Sequence, residues 1–152
     1  VLDACAGFGS DGLLLAQRGA QGSLVERQRL VWIMLEERAR HIASTETICA
    51  DASQVLGDHA THAQAWDVVL LDPMFAPTNK RALPNRGLQH LRELTEPLET
   101  EQEDLLSLLI QSRQRCNGRV VLKRRLKDCV LERPDFQIKA KSVRFDVYLG
   151  LA

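Results

Sequence analysis

Four consecutive residues, Asp72-Pro73-Met74-Phe75, set a carboxylate and a proline carbonyl beside an aromatic ring. The two oxygens can each accept one N–H of a flat amine. Phe75 can stack on the ring that carries it. An aryl amine is a poor nucleophile, because its lone pair is delocalised into the ring. Two acceptors localise that pair and aim it. Chemistry of this kind runs on orientation and needs neither a metal nor a covalent nucleophile. The plainer alternative is a strand-ending Asp-Pro turn with Phe75 in the core.

A second constellation opens the chain: Asp3, then Gly7-x-Gly9-x-x-Gly12, then Leu13-Leu14-Leu15-Ala16. This reads as strand, tight turn and helix. Gly7 and Gly9 allow positive φ and close approach of the backbone to a ligand. The helix start offers unpaired N–H groups and a positive dipole end. The glycine spacing also matches the dinucleotide fingerprint, and a turn that needs glycine only for packing would look the same. Asp3 tilts the balance, since a pyrophosphate would be repelled by it. An acid at a first-strand end followed by Gly-x-Gly resembles S-adenosylmethionine (SAM) methyltransferases, where that carboxylate lies near the methionine ammonium, directly or through water.

These residues need a scaffold. The sequence predicts a helix over 11–18 stopped by Gly19, and a strand over 21–25 ending at Glu26. A carboxylate at that point is where α/β nucleotide folds bind a ribose diol; an exposed Glu26 paired with Arg27 or Arg29 is the alternative. A helix over 30–42 carries an apolar stripe of Val31, Met34, Leu35, the Arg38 stem and Ile42. A third strand over 46–50 precedes Asp51-Ala52-Ser53, where Asp51 either bonds an adenine amino group or caps the turn 54–56. Asp67 to Leu71 is the clearest buried parallel strand. Residues 76–94 read as a loop with a short helix over the site. Thr100-x-x-Glu103 is a capping box for a helix with Leu105, Leu108, Leu109 and Ser112 on one face, ending near Asn117-Gly118. Strand five follows over 119–123. Residues 136–140 and 143–149 form a closing hairpin. The expected fold is α/β: a doubly wound, Rossmann-like sheet of about seven strands, the last antiparallel, in a single domain over residues 1–152. The hairpin disfavours a nicotinamide oxidoreductase, which would need a second βαβαβ half.

Twenty basic and twenty acidic residues cancel, so any nucleic-acid site must be a local patch. Candidates are Lys80, Arg81 and Arg86, and Lys123, Arg124, Arg125 and Lys127. Phosphate contact and solvated charge both suit them. No apolar run is long enough for a bilayer. Cys5, Cys49, Cys116 and Cys129 form no Cys-x-x-Cys pair, and the histidines show no metal spacing. No metal is expected, and a reducing cytoplasm is. The chain starts within a strand without a Met and reads as the core of a longer protein.

Asp3-Ala4-Cys5-Ala6-Gly7-Phe8-Gly9-Ser10-Asp11, Glu26-Arg27, Asp72-Pro73-Met74-Phe75 and Arg144-Phe145-Asp146-Val147-Tyr148 together resemble the ribosomal RNA small-subunit methyltransferase J family. The resemblance runs through the whole chain in order. It implies a class I SAM-dependent enzyme that methylates guanine N2 in 16S rRNA, with 16S rRNA or the small subunit as partner. It also implies that Ser10, Asp11, Glu26, Arg27, Asp51, Ala52 and Asp72 contact SAM. Members carry an N-terminal segment ahead of the first strand. Ser10 replaces a frequent Arg, Ala76 separates Phe75 from the usual Pro, and Lys123-Arg124-Arg125 replaces Lys-Arg-Pro. The rivals are adenine-N6 or cytosine-N4 methylation, since those amines need the same acceptors, and a SAM-binding RNA-assembly protein with little turnover.

Overall fold

The computed structural model describes residues 1–58, 65–73 and 102–152. The element order is β1 (Leu2–Asp3), α1 (Ser10–Gln17), β2 (Gly22–Val25), α2 (Arg29–Ala39), β3 (Thr45–Ile48), α3 (Ala52–Gly57), β4 (Trp66–Leu71), α4 (Gln102–Gln114), β5 (Cys116–Arg125), β6 (Phe136–Lys139) and β7 (Val143–Leu149). The strands form one sheet in the order β3-β2-β1-β4-β5-β7-β6. The first five are parallel. β7 runs antiparallel to both β5 and β6. The expected doubly wound sheet with an antiparallel last strand is therefore present.

Both faces are covered, and each helix sits where its apolar stripe can be buried. Leu13 of α1 and Leu35 and Ala39 of α2 pack with Leu24 and Ala6 on one side. Val55 and Leu56 of α3 and Leu105 and Leu109 of α4 pack with Leu2, Val69, Leu71, Val120, Leu122 and Tyr148 on the other. In α2 the buried stripe is Val31, Leu35 and Ala39, four residues apart. Met34, expected on that stripe, is 51% exposed, because its place on the helix turns it away from Leu35 towards solvent. Of the expected α4 face, Leu105, Leu109 and Ser112 are buried and Leu108 is half-buried against the core. Thr100 of the expected capping box, and the loop over 76–94, lie outside the described residues.

The Asn117-Gly118 pair does not end the helix. It lies inside β5, beside a register shift in which Trp66 pairs with Cys116 but Val68 pairs with Arg119. That is a β-bulge. A Cβ at Gly118 would stand 2.3 Å from the Asp67 carbonyl oxygen, so glycine is needed there for close backbone approach and not for a turn.

The strand order reverses at β1 and β4, which are neighbours although their helices leave to opposite sides. In open α/β sheets ligands bind at such a switch point, beyond the carboxyl ends of the strands. Pairing aligns those ends. Asp3 is opposite Leu24 of β2 and Leu70 of β4, and Leu71 is opposite Leu122 of β5. Glu26, Asp3 and Asp72 lie at or just past the ends of β2, β1 and β4, and Lys123, within β5, is level with Asp72.

Candidate active site

The turn after β1 is held by side chains from three elements. Asp3, 3% exposed, accepts the Gly12 N–H through Oδ2 at 3.1 Å. Glu26 accepts the Gly7 N–H through Oε2 at 3.1 Å and the Gln28 N–H through Oε1 at 2.6 Å. Arg38 of α2 donates to the Phe8 carbonyl. The glycines divide the work. Gly7 (φ 53°) and Gly9 (φ 75°) both need the left-handed conformation. A Cβ at Gly9 would strike Leu35 Cδ1 at 2.5 Å, and one at Gly12 would stand 2.8 Å from Asp3 Oδ2, whereas one at Gly7 would meet nothing within 4 Å. Gly9 and Gly12 are packing glycines. Gly7 alone faces open space in which a ligand can come close.

Four carboxylates converge here. Asp3 senses the charges of Asp11 and Asp72, and the Cys5 thiol beside them senses Asp3, Asp72 and Glu26. Burial pushes the Asp3 carboxyl up to about 7, with Asp11 and Asp72 adding to the rise against hydrogen bonds from the Cys5 and Gly12 backbone. Burial and the same acids lift Cys5 to about 12, which makes it a poor nucleophile. Asp72 is also raised, by burial first and by Asp11, although Lys123 pulls it down. The Lys123 ammonium is 2.6 Å from Asp72 Oδ2 and 3.7 Å from Asp11 Oδ2. Burial works against that charge, but the hydrogen bonds and charges of Asp72 and Asp11 together outweigh it, so the lysine is held above its ordinary range. The pocket carries more negative than positive charge.

Asp51 caps α3. It accepts from the Ser53 backbone at 2.9 Å and from the Ser53 hydroxyl at 2.7 Å, and Gln54 completes the capping box. The Ser53 hydrogen bond is the main cause of its lowered pKa. Arg27 lies 3.7 Å from Asp51 with both side chains well exposed. Ala52 and Pro73 are buried, while Ser10 and Asp11 are exposed on the first turn of α1. Phe75, Lys80, Arg81 and Arg86 lie outside the described residues.

The basic run Lys123-Arg124-Arg125, expected beyond strand five, closes β5 itself and is placed differently from a phosphate-binding surface. Arg124 is 8% exposed and donates to the Cys129 carbonyl at 3.0 Å, because alternation along β5 turns it to the same face as Val120 and Leu122. Lys123 points into the acidic pocket. Sequence reasoning missed both placements, and it also missed Arg38 as a loop holder. The period-two burial along β5 was the available signal for Arg124. Nothing local announces the Lys123–Asp72 pair, which joins residues 51 positions apart.

A family model described as "Putative SAM-dependent methyltransferase" matches residues 1–150. The chain belongs to that family. It is similar to Ribosomal RNA small subunit methyltransferase J of Pseudomonas aeruginosa strain LESB58, with 38% identity over 97% of this chain and 59% of that protein. The same-named protein of Alkalilimnicola ehrlichii is 36% identical over 100% and 61%. The relatives thus carry the name anticipated from the sequence motifs, and the chain spans about three-fifths of their length. Among solved structures, a SAM-dependent methyltransferase from Neisseria gonorrhoeae superposes with a TM-score of 0.74 and 28% identity, over 97% of this chain and 64% of that one. A Streptococcus mutans methyltransferase structure in complex with SAH shares the fold, with a TM-score of 0.56 and 15% identity over 80% of this chain and 60% of that one. Among the described residues no helix is long and apolar enough to cross a membrane.

Proposed function

We propose that the protein binds SAM across the carboxyl ends of β1, β2 and β4, and directs methyl transfer to the exocyclic N2 amine of a guanine in small-subunit rRNA. The observation that carries this reading is the acidic pocket at the switch point, where Asp3, Asp11, Glu26 and Asp72 meet around a glycine turn. That pocket suits a ligand bearing an ammonium and a sulfonium, and it is hostile to a pyrophosphate. The open space over Gly7 is the surface such a ligand would approach.

SAM, when bound, supplies an electrophilic methyl group. The residues do the rest. Each Glu26 oxygen already takes one backbone N–H and keeps lone-pair capacity for a ribose hydroxyl. Asp3 holds the turn from beneath. In this reading Asp72 and the Pro73 carbonyl accept the two amine N–H groups, and the Asp72 carboxylate takes the proton that the amine loses as its new C–N bond forms. Phe75 keeps its stacking role on the base from the sequence alone. The target in 16S rRNA rests on the family resemblance and the relatives' names, and the phosphate contacts of Lys80, Arg81, Arg86 and Arg125 rest on their charge and their place in the sequence.

Asp72→Asn tests the reading. It keeps the shape and weakens the acceptor. We expect normal folding, little change in SAM affinity, and single-turnover methylation slowed by roughly 10²-fold or more. Wild-type rates would remove the carboxylate from the chemistry. Nucleoside mass spectrometry of the product separates guanine N2 from adenine N6 and cytosine N4.

A further inference from the structure

Lys123 stands where the two halves of the pocket meet. It belongs to β5, while Asp72 follows β4 and Asp11 sits in the first turn of α1. Pairing of Leu71 with Leu122 places the lysine beside Asp72. Its side chain is 29% exposed, and its ammonium is directed at Asp72 Oδ2 (2.6 Å) and Asp11 Oδ2 (3.7 Å). Among the described residues it is the one cation within ion-pair distance of either acid. A lysine serving RNA phosphates would present that charge outward.

We propose that Lys123 is a positioning residue, which holds the Asp72 carboxylate ionised and in one rotamer and ties it through Asp11 to the cofactor-side helix. The inference rests on the reading of Asp72 as the amine acceptor. The groups facing Asp72 are Asp3 from β1, Cys5 from the turn, Asp11 from α1 and Lys123 from β5, with Glu26 beyond Cys5. Three of these are acids. Without the lysine, a carboxylate in such company takes up a proton, and a protonated carboxyl donates a hydrogen bond where the amine needs an acceptor. Lys123 occupies Oδ2 and leaves Oδ1 for the substrate. Burial and Asp11 raise Asp72 while Lys123 lowers it, which supports the same balance.

The test uses the full-length protein with Lys123→Met, Lys123→Arg and Asp11→Asn. The Asp72 carboxyl is titrated by carbon-13 NMR without RNA. The pH profile of single-turnover methylation is taken at saturating RNA, and RNA affinity is measured across salt concentrations. Lys123→Met should move the Asp72 titration and the acid limb of the rate upward together, by about one pH unit or more. That is about tenfold in rate at a pH below the displaced limb. Lys123→Arg, which keeps the charge, should recover part of the displacement. Asp11→Asn should move the titration downward, and it carries the test if Lys123→Met does not fold. An unchanged Asp72 titration in folded Lys123→Met or in Asp11→Asn overturns the proposal. So does a weaker RNA affinity with a flattened salt dependence and an unmoved titration, which would mark a phosphate-binding lysine. Failure of the methylation reading is separate: it shows as wild-type turnover in Asp72→Asn, while the NMR titration still reports the pair.

Discussion

Asp3 is a carboxylate almost out of reach of water, and among the described residues it is held by two backbone N–H groups and no cation. Its folded value of about 7 lies above the ordinary 3.8. The sign of the consequence is definite. Below about pH 4 Asp3 is protonated in both the folded and unfolded chain, and nothing is lost. Between about 4 and 7 the unfolded chain ionises first, so stability falls as pH rises. Above about 7 both forms are ionised and the loss is complete, at roughly 1.4 kcal/mol for each pH unit that separates the folded and unfolded values. Denaturant unfolding of the ligand-free protein should therefore show Asp3→Asn gaining on wild type by a few kcal/mol between pH 4 and pH 8. A pH-independent difference between the two would mean that the buried acid does not titrate in this range. The same buried charge is available to a cationic ligand, so binding and ionisation of Asp3 should support each other.

At the scale of elements, the last strand does more than close the sheet. Arg144, Asp146 and Tyr148 share one face of β7. Arg144 pairs with Asp146 at 2.9 Å and donates to the carbonyls of Arg125, Leu126 and Asp128. Gln137 of β6 donates to Asp146, and the Tyr148 hydroxyl donates to the Glu132 carbonyl. The Arg-Phe-Asp-x-Tyr motif is thus a clasp over the end of β5 and the segment that follows it. Asp146→Asn leaves a buried guanidinium without its counter-charge and should cost about 3–5 kcal/mol, measured by chemical denaturation. Gly118→Ala forces the bulge apart and should cost about 1–3 kcal/mol or more, read in the same assay. Much of this level was legible in the sequence. The apolar run ending at Leu71, the glycine turn and the Lys141-Ser142 hairpin each carry a local signal. Asn117-Gly118 did not, because its glycine answers a neighbouring strand's carbonyl and not a local turn. Arg124 was hidden in a basic run whose neighbours face elsewhere. The Lys123–Asp72 pair depends on strand order, which no stretch of sequence states by itself.

Taken whole, the molecule places its chemistry by topology. Four parallel strands, β2, β1, β4 and β5, bring Glu26, Asp3, Asp72 and Lys123 into a row, and the net charge of zero leaves that local field undiluted by any global one. A ligand that fits the row should stabilise the fold. At about 100 times its dissociation constant SAM should add roughly 2.7 kcal/mol, a rise of about 5–10 °C in Tm for a domain of this size, and NAD should add nothing. Differential scanning fluorimetry with both ligands checks this, and an equal rise with NAD would contradict the charge argument. The strand order also sets a timetable. The β6–β7 hairpin joins residues a few positions apart, and such contacts close in about 1–10 μs. Leu2 meets Val69 only after a loop of 67 positions has been gathered in, a closure whose entropy cost delays it. β1 contributes just two residues, Leu2 and Asp3, so little local structure holds it in place beforehand. A folding chain will own its clasp and hairpin before Asp3 and Asp72 ever meet. The pocket is then among the last features to assemble, and partly folded molecules will carry much of the sheet while remaining blind to the ligand.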